Sequence, residues 1–169
     1  MGTLSPPQLL PIRVATLKDA RLLHELAAQA LYEIDGINYD VDTYETFRNV
    51  FAHGDAAGAC RIIVAHERGK PQSLVASGAA WIHQILPAAW LPNGKLGYLQ
   101  WFYTAPAWRG RGIAHAIGEQ LIAWLGQAGC TRVQLHAIDK AAPVYRRLGF
   151  EPTLHENFWL KLPTSPTTR

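Results

Sequence analysis

Strand-like and helix-like segments follow one another in the order β-α-α-β-β-β-α-β-α-β, which predicts an α/β fold of the α+β type, a mixed sheet with flanking helices. Two further observations make it one domain, residues 1–169. The chain has no internal repeat or linker-like stretch, and its 169 residues, 49% of them hydrophobic, suffice for a single core. The Pro-rich start, residues 1–11, and the polar end, residues 163–169, are expected to be loose.

Each element has a local reason. Ile12-Arg13-Val14-Ala15 reads as a short strand, and Thr16-Leu17-Lys18-Asp19 carries the polar residues of a helix entry. From Asp19 to Tyr32 the residues Leu22, Leu23, Leu26, Ala30 and Leu31 recur at helical spacing, and Gly36 ends the run. A second helix from Asp40 to Phe51 puts Val41, Tyr44, Phe47, Val50 and Phe51 on one face, with a loop expected from His53 to Gly58. Arg61–His66 and Ser73–Gln84 read as strands joined by a turn at Glu67–Pro71. After a turn at Pro87–Gly94 comes an apolar, aromatic strand, Leu96–Thr104, stopped by Pro106. An amphipathic helix over Gly112–Gly126, a buried strand over Val133–Ile138, a short helix from Lys140 or Ala141 to Leu148, and strand residues from Phe150 to Leu162 complete the order.

The most informative stretch is Arg109-Gly110-Arg111-Gly112-Ile113-Ala114, between a buried strand and a helix. The first amides of a helix have no intrahelical partners, and with the helix dipole they form a site for phosphate oxygens. Glycines at 110 and 112 let main chain approach an anion, and Arg109 and Arg111 add positive charge. There is no Gly-Lys-Ser/Thr ending and no Gly-x-Gly-x-x-Gly spacing, which excludes a triphosphate loop and the dinucleotide fingerprint. Taken alone, the stretch also suits a basic surface turn.

Arg109–Ala114 resembles the (Gln/Arg)-x-x-Gly-x-(Gly/Ala) signature of the GNAT (GCN5-related) N-acetyltransferases. Tyr103-Thr104-Ala105-Pro106-Ala107-Trp108 looks like the strand end before it, and Tyr145-Arg146-Arg147-Leu148-Gly149-Phe150 resembles the family's Tyr-x-x-Leu-Gly-Phe segment. The resemblance implies a twisted, mostly antiparallel mixed sheet whose fourth and fifth strands splay apart around the cofactor. Acetyl-CoA would be the co-substrate, its diphosphate on the amides of Arg109, Gly110, Arg111, Gly112, Ile113 and Ala114. Its pantetheine amides would pair with main chain at Phe102, Tyr103 and Thr104 like an added strand. Tyr145 would be the general acid for the departing thiolate, with a packing role as the plainer alternative. Where some relatives carry a glutamate on the fourth strand this chain has Tyr98, with Gln100 nearby, so His83, His136, Asp139 or a water chain would serve as base. Ile138 stands where many relatives carry Ser or Asn.

Charge bears on the acceptor. Between Leu22 and Phe47 there is no Lys or Arg, while Glu25, Glu33, Asp35, Asp40, Asp42 and Glu45 are acidic. Such acids solvate helix faces, or they form a mouth for a cationic amine, with Tyr32, Glu33, Asp35 and Tyr39 as acceptor-binding residues. The net charge of +3, scattered with no run of five like charges, points away from broad nucleic-acid and membrane surfaces. Cys60 and Cys130 are isolated, no His or Cys spacing suits a metal, and no Gly-x-Ser-x-Gly elbow is present. The expectation is therefore a cytoplasmic N-acetyltransferase acting on a small-molecule primary amine without a metal, a homodimer being left open. Acetylation of a protein N-terminus or lysine, a non-catalytic acyl-CoA-binding module, and a nucleic-acid binder using Arg109 and Arg111 are the rivals.

Overall fold

The computed structural model of the chain describes residues 10–36 and 43–153. Its elements are β1 (Ile12–Val14), α1 (Ala20–Asp35), α2 (Tyr44–Ala56), β2 (Cys60–Glu67), β3 (Lys70–Gln84), β4 (Lys95–Thr104), α3 (Ile113–Gln127), β5 (Arg132–Gln134) and α4 (Ala142–Arg147). Short 3₁₀ turns at Leu17–Asp19 and Pro106–Trp108 lead into α1 and the turn before α3. The sheet order is β1-β2-β3-β4-β5, antiparallel throughout except for the parallel pair β4 and β5.

Alternation in the central strands gives the sheet two apolar faces, each covered by helices. On one face Ile117, Leu121 and Leu125 of α3 are fully buried against Ile63, Ala76, Ala80 and Leu99. On the other, Leu23 of α1 and Phe51 of α2 cover Ile62, Val64 and Ala79. Arg13 holds the start of α1 in place, its guanidinium donating to both carboxylate oxygens of Asp19 at 2.7 and 2.8 Å. The Asp19 carboxylate also accepts the Thr16 amide at 2.8 Å, and these donors, Arg13 above all, hold it below the usual carboxylate range. Cys60 and Cys130 are free thiols, and burial pushes Cys60 up to about 12.

Several boundaries differ from those read in the sequence. α2 runs through His53–Asp55 to Ala56, because Gly54 packs its bare Cα against Trp81 and Cys60, where a Cβ would come within 2.6 Å of both. The fifth strand is only Arg132–Gln134, shorter than Val133–Ile138, because its ladder with β4 stops at Tyr98 opposite Gln134. Of the strand expected over Phe150–Leu162, the described residues 150–153 are not in a strand and the rest lies outside the described residues, as do the expected loose ends, all but Leu10 and Pro11.

Beyond Tyr98 the β4 backbone continues to Thr104 with no strand beside it on the β5 side, among the described residues. A bulge lies there too: Ser77 opposes Tyr103 and Ala79 opposes Gln100, so Trp101 and Phe102 together face Gly78. Trp101 has a left-handed φ of 59°, unusual for a bulky side chain. Gly78 makes room for the bulge, since a Cβ there would lie 2.8 Å from Ile117 and 3.0 Å from Phe102. The strand thus leaves its ladder where the resemblance implies a cofactor cleft.

Candidate active site

A cavity of about 400 Å³ opens between the free end of β4, the start of α3 and α4. Phe102, Tyr103 and Thr104 form one wall, Gly110, Gly112, Ile113 and Ala114 the second, and Ile138 and Tyr145 the third. Gly112 caps α3 with φ 76°, and Gly110 is also left-handed at φ 74°. A Cβ added at either would meet nothing within 4 Å, so backbone conformation rather than crowding calls for glycine, and the main chain lies open to the cavity. Lys140 and Arg147 line the cavity as well. Amides and cations at one end with an apolar body suit a diphosphate carried on a long, largely apolar arm.

The two arginines of the turn act differently. Arg109 donates Nε to the Thr104 carbonyl at 2.8 Å and its guanidinium to Glu33 at 2.5 Å. Arg111 is not among the lining residues; it donates to the Ala107 carbonyl at 3.1 Å and lies over the Trp108 ring at 4.8 Å. The Glu33 carboxylate also accepts the Tyr103 hydroxyl at 2.8 Å. Arg109 first, then Tyr103, keeps Glu33 below the usual carboxylate range. Tyr103 in turn is pushed up to about 12 by burial and by Glu33. The side-chain oxygen of Thr104, on the same wall, is buried without a hydrogen-bond partner.

Tyr145 is 9% exposed, with Phe102 and Phe150 edge-on at 5.7 and 6.1 Å between ring centres. Burial pushes its phenol up to about 12, further above neutral pH than the ordinary value near 10, at which the group is already protonated. The candidate bases lie elsewhere. Tyr98 on β4 and His136, two residues past β5, are joined by a 2.7 Å hydrogen bond between the Tyr98 hydroxyl and His136 Nδ1, across the apex of the split. His83 sits edge-on to Tyr98 at 5.7 Å. Asp139 is exposed in the turn before α4 and does not line the cavity. Of the acceptor candidates, Glu33 is engaged by Arg109 and Tyr103, Tyr32 is exposed, Asp35 is the last residue of α1, and Tyr39 lies outside the described residues.

Sequence reasoning gave no site role to Arg147 or His115, nor to Ala30 and Ile34 of α1, all of which line the cavity. The i, i+3 spacing of Val144 and Arg147 was a readable signal for the former. Nothing local announces that the end of α1 reaches the turn.

A second cavity, of about 270 Å³, lies between α2 and the β3–β4 surface. Phe47 and Trp101, both on its wall, stack on each other, ring centres 5.2 Å apart and planes 15° from parallel. Among the described residues no group of three or more His, Cys, Asp or Glu side chains is placed to hold a metal, and no helix is long and apolar enough to cross a membrane.

Solved structures share this architecture. A predicted acetyltransferase of Clostridium acetobutylicum, determined with acetyl-CoA, is 26% identical over 92% of this chain and 96% of its own, and superposes with a TM-score of 0.78. A GCN5-related N-acetyltransferase of Ralstonia eutropha JMP134 is 24% identical over 89% and 98% of the two chains, TM-score 0.73. An aminoglycoside antibiotic 6'-N-acetyltransferase of Acinetobacter haemolyticus is 20% identical over 92% and 100%, TM-score 0.67. None of the curated proteins matches the chain. The family model described as acetyltransferase (GNAT) family matches residues 22–150, a stretch that holds both the glycine turn and Tyr145, and the chain belongs to the GNAT acetyltransferase family, whose co-substrate is acetyl-CoA.

Proposed function

We propose that the protein transfers an acetyl group from acetyl-CoA to a primary amine of a small molecule, with Tyr145 as general acid and His136, held by Tyr98, as base. One observation carries this reading: the glycine turn at the start of α3 and the buried Tyr145 line the same cavity. When bound, acetyl-CoA supplies a thioester whose carbonyl carbon accepts the amine nitrogen and whose sulfur leaves.

The chain's own residues have three tasks. The amides after Gly112, helped by Lys140 and Arg147, hold the diphosphate. The free edge of β4 at Phe102–Thr104 offers backbone groups to the pantetheine amides. Tyr145, a phenol protonated at neutral pH, gives its proton to the sulfur as the carbon–sulfur bond breaks and the carbon–nitrogen bond forms. His136 takes the proton that the attacking nitrogen sheds, so the charges balance. An aminoglycoside acetyltransferase among the structural neighbours supports a small-molecule acceptor. Two free thiols suit a reducing compartment, the cytoplasm.

The test is acetyl-CoA-dependent thiol release across a panel of primary amines. Tyr145→Phe is expected to lower kcat by roughly 10²–10⁴-fold with little change in acetyl-CoA affinity, and His136→Gln to lower kcat/KM on a similar scale. Full turnover in Tyr145→Phe would leave that residue a packing role. Cofactor binding without thiol release from any amine would favour an acyl-CoA-binding module.

A further inference from the structure

We infer that the amine acceptor carries an apolar, aromatic body, and that the cavity between α2 and the β3–β4 surface receives it. The inference rests on the acetyl-transfer reading and names the class of substrate.

The cavity is lined chiefly by Phe47, Val50, Phe51, Ile62, Trp81 and Trp101. Its polar side chains are two threonines and Gln100, and among the described residues none of the lining side chains is charged. A polyhydroxylated or polycationic acceptor would lose its water there without gaining partners, which costs free energy for every unmatched polar group. An aromatic ring loses nothing comparable and gains burial and stacking. The size agrees: a cavity of about 150 Å³ suffices for benzene, so 270 Å³ holds a body of one or two rings.

Position ties the cavity to the chemistry. Its β4 wall is Gln100–Trp101, and the next residues of the same strand, Phe102–Thr104, wall the cofactor cavity. Neighbouring strand residues are roughly 3.3 Å apart, so a short tether joins a ring in one cavity to a nitrogen at the edge of the other. The bulge is what builds the wall. The left-handed backbone at Trp101 lays its indole parallel to Phe47, a conformation costing about 1–3 kcal/mol that clusters at functional sites in proteins generally.

The expected result, with purified protein and acetyl-CoA, is that 2-phenylethylamine is acetylated with a kcat/KM about 10- to 100-fold above that of glucosamine, from the burial of one ring. Trp101→Asn removes the indole while keeping a residue that tolerates the left-handed backbone, and is expected to raise KM for 2-phenylethylamine about 10-fold without altering acetyl-CoA affinity. Thr46→Trp, from an exposed α2 position on the rim, fills the cavity without disturbing the core and is expected to abolish this preference. Glucosamine acetylated as well as or better than 2-phenylethylamine would overturn the inference and leave the transfer reading standing. If no amine releases thiol, the transfer reading fails and the cavity is judged by calorimetry: 2-phenylethylamine binding that Trp101→Asn removes upholds it, and no binding overturns it.

Discussion

The carboxylate of Glu33, on the last turn of α1, pairs with the guanidinium of Arg109, 76 residues further on, at 2.5 Å. The pair ties α1 to the turn that opens α3, and through the Arg109 contact with the Thr104 carbonyl it ties both to the end of β4. Both side chains are more than a third exposed, so the pair adds at most about 1 kcal/mol to stability. Its effect is on position. Glu33→Ala is expected to leave the unfolding midpoint nearly unchanged and to weaken acetyl-CoA binding several-fold, measured by calorimetry. An unchanged affinity would make the pair a surface contact only.

Asp19 is the acid-sensitive group of the described fold with the clearest geometry. Its folded carboxyl is held below the usual range by Arg13, so the stability it contributes is present above about pH 4 and is lost as pH falls through the lowered value. Asp19→Ala is expected to cost about 2 kcal/mol at pH 7 and less at pH 2, read from urea unfolding at the two pH values. An equal cost at both would assign the loss to the helix entry rather than to the ion pair.

Gly112→Glu is expected to abolish acetyl-CoA binding in a protein that still folds. The left-handed backbone at Gly112 costs a non-glycine residue about 1 kcal/mol, and the carboxylate places a like charge at the proposed diphosphate site. Gly126→Ala, on α3 with nothing within 4 Å of the added methyl and an ordinary backbone, is the control. It is expected to raise stability by about 0.5–1 kcal/mol and to leave binding untouched.

Burial raises both Tyr103 and Tyr145 to about 12, against about 10 in an unfolded chain. A group whose folded value is raised contributes stability below its unfolded value and loses it as pH rises through the folded one, so the fold is expected to weaken between about pH 10 and pH 12. Tyr145→Phe should flatten part of this decline in a thermal-unfolding series. A decline unchanged in the mutant would assign it to Tyr103 and other groups.

Thr104→Val replaces a buried hydroxyl that has no partner with a methyl of the same shape. It is expected to stabilise the free protein by about 1 kcal/mol, measured by denaturant unfolding. A loss of stability would mean that the hydroxyl is satisfied in solution.

What the sequence determined by itself is whatever depends on near neighbours along the chain. The stripe Leu22–Leu31 and the cap at Gly36 define α1, the run of small and β-branched residues in Ser73–Gln84, buried without a break from Val75 to Ala80, defines the core of β3, and glycines at 110 and 112 before an amphipathic run mark the turn that opens α3. These follow from the helix period, strand propensity and the left-handed backbone, all local properties. Tertiary structure decided the partners. It joined Glu33 to Arg109, bridged Tyr98 to His136 across the split, and stacked Phe47 on a Trp101 turned by a bulge. Long side chains choose among distant groups only when the sheet and helices have closed around them. The extra residue of a β-bulge, too, is defined by the register of the strand beside it.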